Sequence, residues 1–136
     1  MSEKIDQFCE SLRVHLTELE TDLNKTKAEV EALPQQAEQV VHSKLEEART
    51  QREVRRQKAE ATKAKAQQWL EEKKAEVKAN VEEWRAKREG DKLAARAERA
   101  EEYAASAMLF AAASVQEARV AMLEAVEARL AADEAA

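Results

Sequence analysis

The chain has 136 residues, a formal net charge of −5, 44% hydrophobic but only 4% aromatic residues, 38% charged residues, and one glycine, one proline and one cysteine. Most of the hydrophobic fraction is alanine, so a thick globular core cannot be assembled, and the scarcity of Gly and Pro excludes sandwiches, barrels and doubly wound sheets on turn chemistry. A lone Cys9 excludes an intramolecular disulfide and a zinc cluster, and the mild charge does not announce a nucleic-acid binder.

The composition is that of long helices and coiled coils, and the fold class it predicts is all-α: an elongated antiparallel three-helix coiled coil or bundle, a single elongated domain over 1–136, completed by homodimerisation. In the first segment Ile5, Cys9, Leu12, Leu16, Leu19, Leu23, Thr26, Val30 and Leu33 follow one another at alternating four- and three-residue steps. That heptad seam predicts a helix over 3–33 with Ser2 as its candidate cap. Pro34 forces Leu33 out of the α region, which predicts a hairpin in preference to a kink.

From Gln35 to Glu89 nothing breaks helix propensity, so one rod of about 80 Å is expected there. Large apolar residues thin out between Arg49 and Lys65 and return with Trp69, Leu70, Val77, Val81 and Trp84. Gly90 followed by Asp91 reads as a helix stop and a cap, which predicts a third helix over 91–132. On it Ala97, Ala100, Ala104, Ala107, Ala111, Ser114, Ala118, Ala121, Ala125, Ala128 and Ala132 keep heptad spacing, a seam of small residues expected to receive Trp69 and Trp84 from the middle helix. Tyr103, Met108, Leu109, Phe110, Val115, Met122 and Leu123 widen the apolar arc beyond what one partner helix covers. They are the expected self-association surface, with Phe110 near the centre of a two-fold dimer.

Arg49, Arg52, Arg55, Arg56, Lys58, Lys63 and Lys65, set against only Glu53 and Glu60, form a basic belt of local charge +5. The segments 1–33, 34–89 and 90–136 sum to −4, +3 and −4, so the belt is expected to pair with acidic residues of the flanking helices. Antiparallel counting from the two reversals sets Leu19 near residue 50, Glu117 near Lys63 and Glu124 near Arg56. A phosphate backbone is the alternative partner of the belt.

Catalytic chemistry finds no foothold. His15 lacks the Glu three residues before it that a di-iron bundle needs, and His42 lies between Glu38 and Glu46 as a surface patch. Cys9 reads as a small hydrophobe of the seam, and Ser106 and Ser114 as hydroxyls bonded back to their own helix. No catalytic, cofactor-binding or metal-ligating residue, no cofactor and no small-molecule substrate is expected. No signal peptide is expected from the opening residues, and the uncharged run Tyr103–Gln116 falls short of the roughly 20 residues a span requires. The expectation is a non-enzymatic, cytoplasmic structural or interaction protein with itself or another protein as partner. The alternatives are a peripheral lipid binder laying its third helix on a membrane surface, and a nucleic-acid binder using the belt 49–65.

Overall fold

The computed structural model describes residues 3–75 and 78–135. Its elements are all helical: α1 (Glu3–Ala32), a short 3-10 turn (Leu33–Gln35), α2 (Glu38–Glu60), α3 (Lys63–Ala75), α4 (Lys78–Ala86) and α5 (Gly90–Ala135). The chain is therefore all-α, as its composition requires. The expected cap Ser2 and the seam residue Val77 lie outside the described residues.

Pro34 makes a hairpin. It occupies the first turn of the 3-10 segment, where its missing N–H is no loss. Gln36 and Ala37 are extended (ψ 148° and 152°), and α2 starts at Glu38 heading back along α1. The ion pairs Asp22–Arg55 and Lys25–Glu47 join the two helices across the reversal.

The second reversal uses a different residue from the one the sequence suggests. Arg88 is the left-handed residue (φ 54°) after α4, and the Glu89 N–H closes onto the Trp84 carbonyl at 2.8 Å. Gly90 has no positive φ and already lies in the first turn of α5, whose Leu93 N–H donates to the Glu89 carbonyl. Glycine is thus not the stop here, because the bend falls two residues earlier.

Along α5 the partners on the middle arm run backwards. His42 meets Glu127, Arg49 meets Glu124, Arg52 and Arg56 meet Glu117, and Lys65 meets Glu102. α1 instead runs parallel to α5: Lys4 and Phe8 share a cleft with Ala97 and Glu101 at one end, and Glu29 pairs with Arg119 towards the other. This register differs from the simple count by about two turns, since Glu117 faces Arg52 and Arg56 rather than Lys63. The offset is already present at the Lys65–Glu102 pair, so it arises between α3 and α5, where the chain makes its second reversal. At Ala61–Thr62 helix α2 ends in a tight turn in which both the N–H and the hydroxyl of Thr62 bond to the Ala59 carbonyl, at 3.0 and 2.8 Å.

The apolar core sits at the Pro34 end, where Leu33, Val41, Leu45, Ala48, Val120 and Leu123 are buried and Val126 and Leu130 pack on them. The face that α5 buries carries Ser106, Ala112, Gln116, Arg119, Val120 and Leu123, not the alanine stripe. From Ser114 onward that stripe (Ala118, Ala121, Ala125, Ala128, Ala132) faces solvent. The branched residues decide the rotation of the helix: burying Val120 and Leu123 removes far more apolar area from water than burying alanines would. Trp69 is buried, yet its ring lies under the Arg96 guanidinium at 5.7 Å, and Trp84 lies under the Lys92 ammonium at 5.9 Å. Both tryptophans thus carry cations from the start of α5.

Candidate interaction surfaces

Where α1, α2 and α5 meet beyond the apolar core, the interior turns polar. The Arg119 guanidinium donates to both carboxylate oxygens of Glu29, at 2.6 and 2.8 Å. The side chains are 4% and 12% exposed, with Glu47 of α2 at 3.8 Å as a third member. The hydrogen bonds that Arg119 donates to Glu29 hold its charge more firmly than in water, outweighing burial, which acts the other way. One layer further along, Arg55 reaches Asp22 at 3.4 Å, and the buried Thr26 hydroxyl donates to the Asp22 carbonyl at 2.8 Å. Gln116 is 5% exposed and its Oε1 has no hydrogen-bond partner.

Ser106 is fully buried, and its hydroxyl meets that of Thr62 at 2.8 Å across the interruption between α2 and α3. This replaces the expected bond back to its own helix. The partner is one that only the fold brings close, since the two residues are 44 positions apart. Towards the far end Arg99 and Glu72 form a further ion pair. Apart from the Gln116 carbonyl, these polar side chains meet one another across the interior, and no trio of His, Cys, Asp or Glu among the described residues is placed to hold a metal ion.

The basic belt is engaged from both sides. Arg49 bonds to Glu46 and Glu124, Arg52 to Glu117, Arg55 to Asp22, Arg56 to Glu53 and Glu117, and Lys65 to Glu102. Lys58 and Lys63 are exposed. At the hairpin end His42 sits 3.2 Å from Glu127, and a hydrogen bond shared with Glu134 raises the Glu38 carboxyl above its ordinary value.

The seven residues expected to self-associate are divided among different surroundings. Leu123 is in the core at 2% exposure. Met108 and Leu109 line a narrow cleft with His15, Leu19 and Asp22 of α1. Tyr103 and Val115 are half-buried, which leaves Phe110 (38%) and Met122 (39%) as the exposed members.

The larger exposed apolar surface is on α1. Of the heptad seam, Leu12, Leu19, Thr26 and Leu33 turn inward, while Leu16 (57%), Leu23 (54%), Val30 (40%) and Cys9 face solvent. Cys9 is therefore not the buried hydrophobe its seam position suggests. In place of the outer row the helix turns Phe8, His15, Asp22 and Glu29 towards the fold, because Arg55 and Arg119 neutralise the two carboxylates there. The seam spacing marked these residues, and the acidic residues one step behind them mark the rotation. No helix among the described residues is long and apolar enough to cross a membrane. Comparisons with protein-family models, with curated proteins and with solved structures find no match.

Proposed function

We propose that the protein is a non-enzymatic structural or interaction protein that works by offering helical surfaces to other helices. In this reading its three arms, α1, α2–α4 and α5, act as one antiparallel coiled-coil bundle that is completed by a further helix from outside the chain. One observation carries it: Leu16 and Leu23, members of a regular heptad row, are 57% and 54% exposed on a helix whose opposite edge is docked. Heptad leucines are the hallmark of a helix that pairs with another. A row of them left outside has the spacing of a partner helix.

The basic belt supports the same reading rather than nucleic-acid binding, since Arg49, Arg52, Arg55, Arg56 and Lys65 already meet carboxylates of the chain. A phosphate backbone would have to displace each of them. Lipid is the competing owner of an apolar helical row. Flotation of the full chain with vesicles of phosphatidylcholine and phosphatidylglycerol separates the two: the helical-partner reading predicts that the protein stays at the bottom of the gradient. Co-flotation that is lost in a Leu16→Glu/Leu23→Glu variant would overturn it.

A further inference from the structure

We infer that the helix completing this surface is α1 of a second copy of the chain, lying antiparallel across the outer row about a two-fold axis. The inference deepens the proposed function by naming the partner, and rests on it.

Charge identifies the occupant. Beside the row Cys9, Leu16, Leu23 and Val30, on the side away from the rest of the fold, runs a second row at the same seven-residue spacing: Asp6, Arg13, Glu20 and Lys27, all exposed. Its signs alternate, negative, positive, negative, positive. Reversed end to end, such a row is its own complement. In antiparallel helices, flanking residues of the same heptad position face one another across the seam. The alternation sets Asp6 opposite Lys27 and Arg13 opposite Glu20, and a two-fold axis repeats both pairs.

The same register lays the outer apolar row on itself, since Leu16 comes across from Leu16 and Cys9 across from Leu23 of the opposite copy. A slip of one heptad in one direction sets Arg13 against Lys27 and Glu20 against itself. A slip in the other sets Asp6 against Glu20 and Arg13 against itself. Like charges facing one another are unfavourable, so a single register is selected. A parallel pairing would face the charged row with Phe8, His15, Asp22 and Glu29, which are turned into the fold.

Among the described residues Arg13 is held only by Glu10, one turn away on the same helix, in a pair whose side chains are 62% and 61% exposed. Redirecting it to a second copy is therefore cheap. The seam from Cys9 to Val30 is about 32 Å long, a small interface by the standard of stable complexes, so the dimer should dissociate on dilution.

The test is sedimentation equilibrium of the full chain from about 1 to 200 µM, with circular dichroism to confirm that each variant is as helical as the wild type. The wild type should reach a dimer. Arg13→Glu alone and Glu20→Arg alone each set like charges opposite one another twice in the assembly and should weaken it about tenfold. The double variant Arg13→Glu/Glu20→Arg restores opposite signs and should return to within about threefold of the wild type. Leu16→Glu/Leu23→Glu should be monomeric. A wild-type monomer at about 200 µM overturns the inference. So does a dimer indifferent to Leu16→Glu/Leu23→Glu, or one in which the double charge reversal fails to rescue. The vesicle experiment tests the helical-partner reading itself, so a monomer that does not float removes only the second copy.

Discussion

Arg119 of α5 grips Glu29 of α1 through two hydrogen bonds of 2.6 and 2.8 Å in the interior, with Glu47 of α2 at 3.8 Å, so that one guanidinium joins three helices. The position matters because it fixes the rotation of α1. With Glu29 turned in, the heptad leucines one step further round are turned out. Removing either partner leaves the other charge buried without its counter-ion. Glu29→Ala or Arg119→Ala should each cost about 3–5 kcal/mol in urea unfolding, whereas the joint replacement Glu29→Leu/Arg119→Met should be close to neutral. A loss below about 1 kcal/mol for both single variants would show that the pair does not hold α1 in place.

Gln116 lies between Leu109 and Leu123 on the buried face of α5, with its carbonyl oxygen unmatched. A buried acceptor without a donor costs about 1–3 kcal/mol, so Gln116→Leu should stabilise the fold by about 1 kcal/mol or more. Thermal unfolding of the two proteins measures it directly, and a lower midpoint for the leucine variant would contradict the burial described.

The reversal before α5 separates two readings of the sequence. Arg88 carries the left-handed backbone, and a Cβ added at Gly90 meets nothing within 4 Å. Arg88→Gly should therefore stabilise by about 1 kcal/mol through relief of the left-handed conformation. Gly90→Ala, in a helical first turn, should also stabilise, by about 0.5–1 kcal/mol. If Gly90 were the helix stop, the alanine variant would instead be destabilised, and denaturant midpoints distinguish the cases.

Arg52 and Arg56 both reach Glu117, whose side chain is exposed, Arg52 from a half-buried position and Arg56 from an exposed one. Reversing both arginines to glutamate should lower stability by about 1 kcal/mol at low salt, and by less as salt screens the repulsion. Adding Glu117→Arg should recover most of the loss. Unchanged melting of the double reversal would mean that the belt is not engaged with α5.

Helix class, the Pro34 hairpin and the internal pairing of the belt were legible in the sequence, because each rests on local chemistry: propensity, a proline and segment charge. What was hidden is rotation. On α1 the apolar seam and the acidic row behind it compete for the inside, and two arginines far along the chain, Arg55 and Arg119, settle the competition. On α5 the alanine stripe is the more regular heptad, yet Val120 and Leu123 carry more area and take the core. Regularity of spacing proved a weaker guide than the size and charge of what occupies it. The Arg88 turn and the Thr62–Ser106 bond lie beyond local reading for the same reason, since each depends on residues that only the fold brings together.

The claim on which the account turns is that α1 docks by its polar edge and leaves its leucine row outside. Thiol labelling tests it in a Cys9→Ser background, with single cysteines placed at Leu23, which is 54% exposed, and at Thr26, which is 8% exposed. In dilute solution Leu23→Cys should react at least about tenfold faster than Thr26→Cys, which must wait for local opening of α1. Equal protection of the two would mean that α1 buries its whole heptad seam, and would contradict the account.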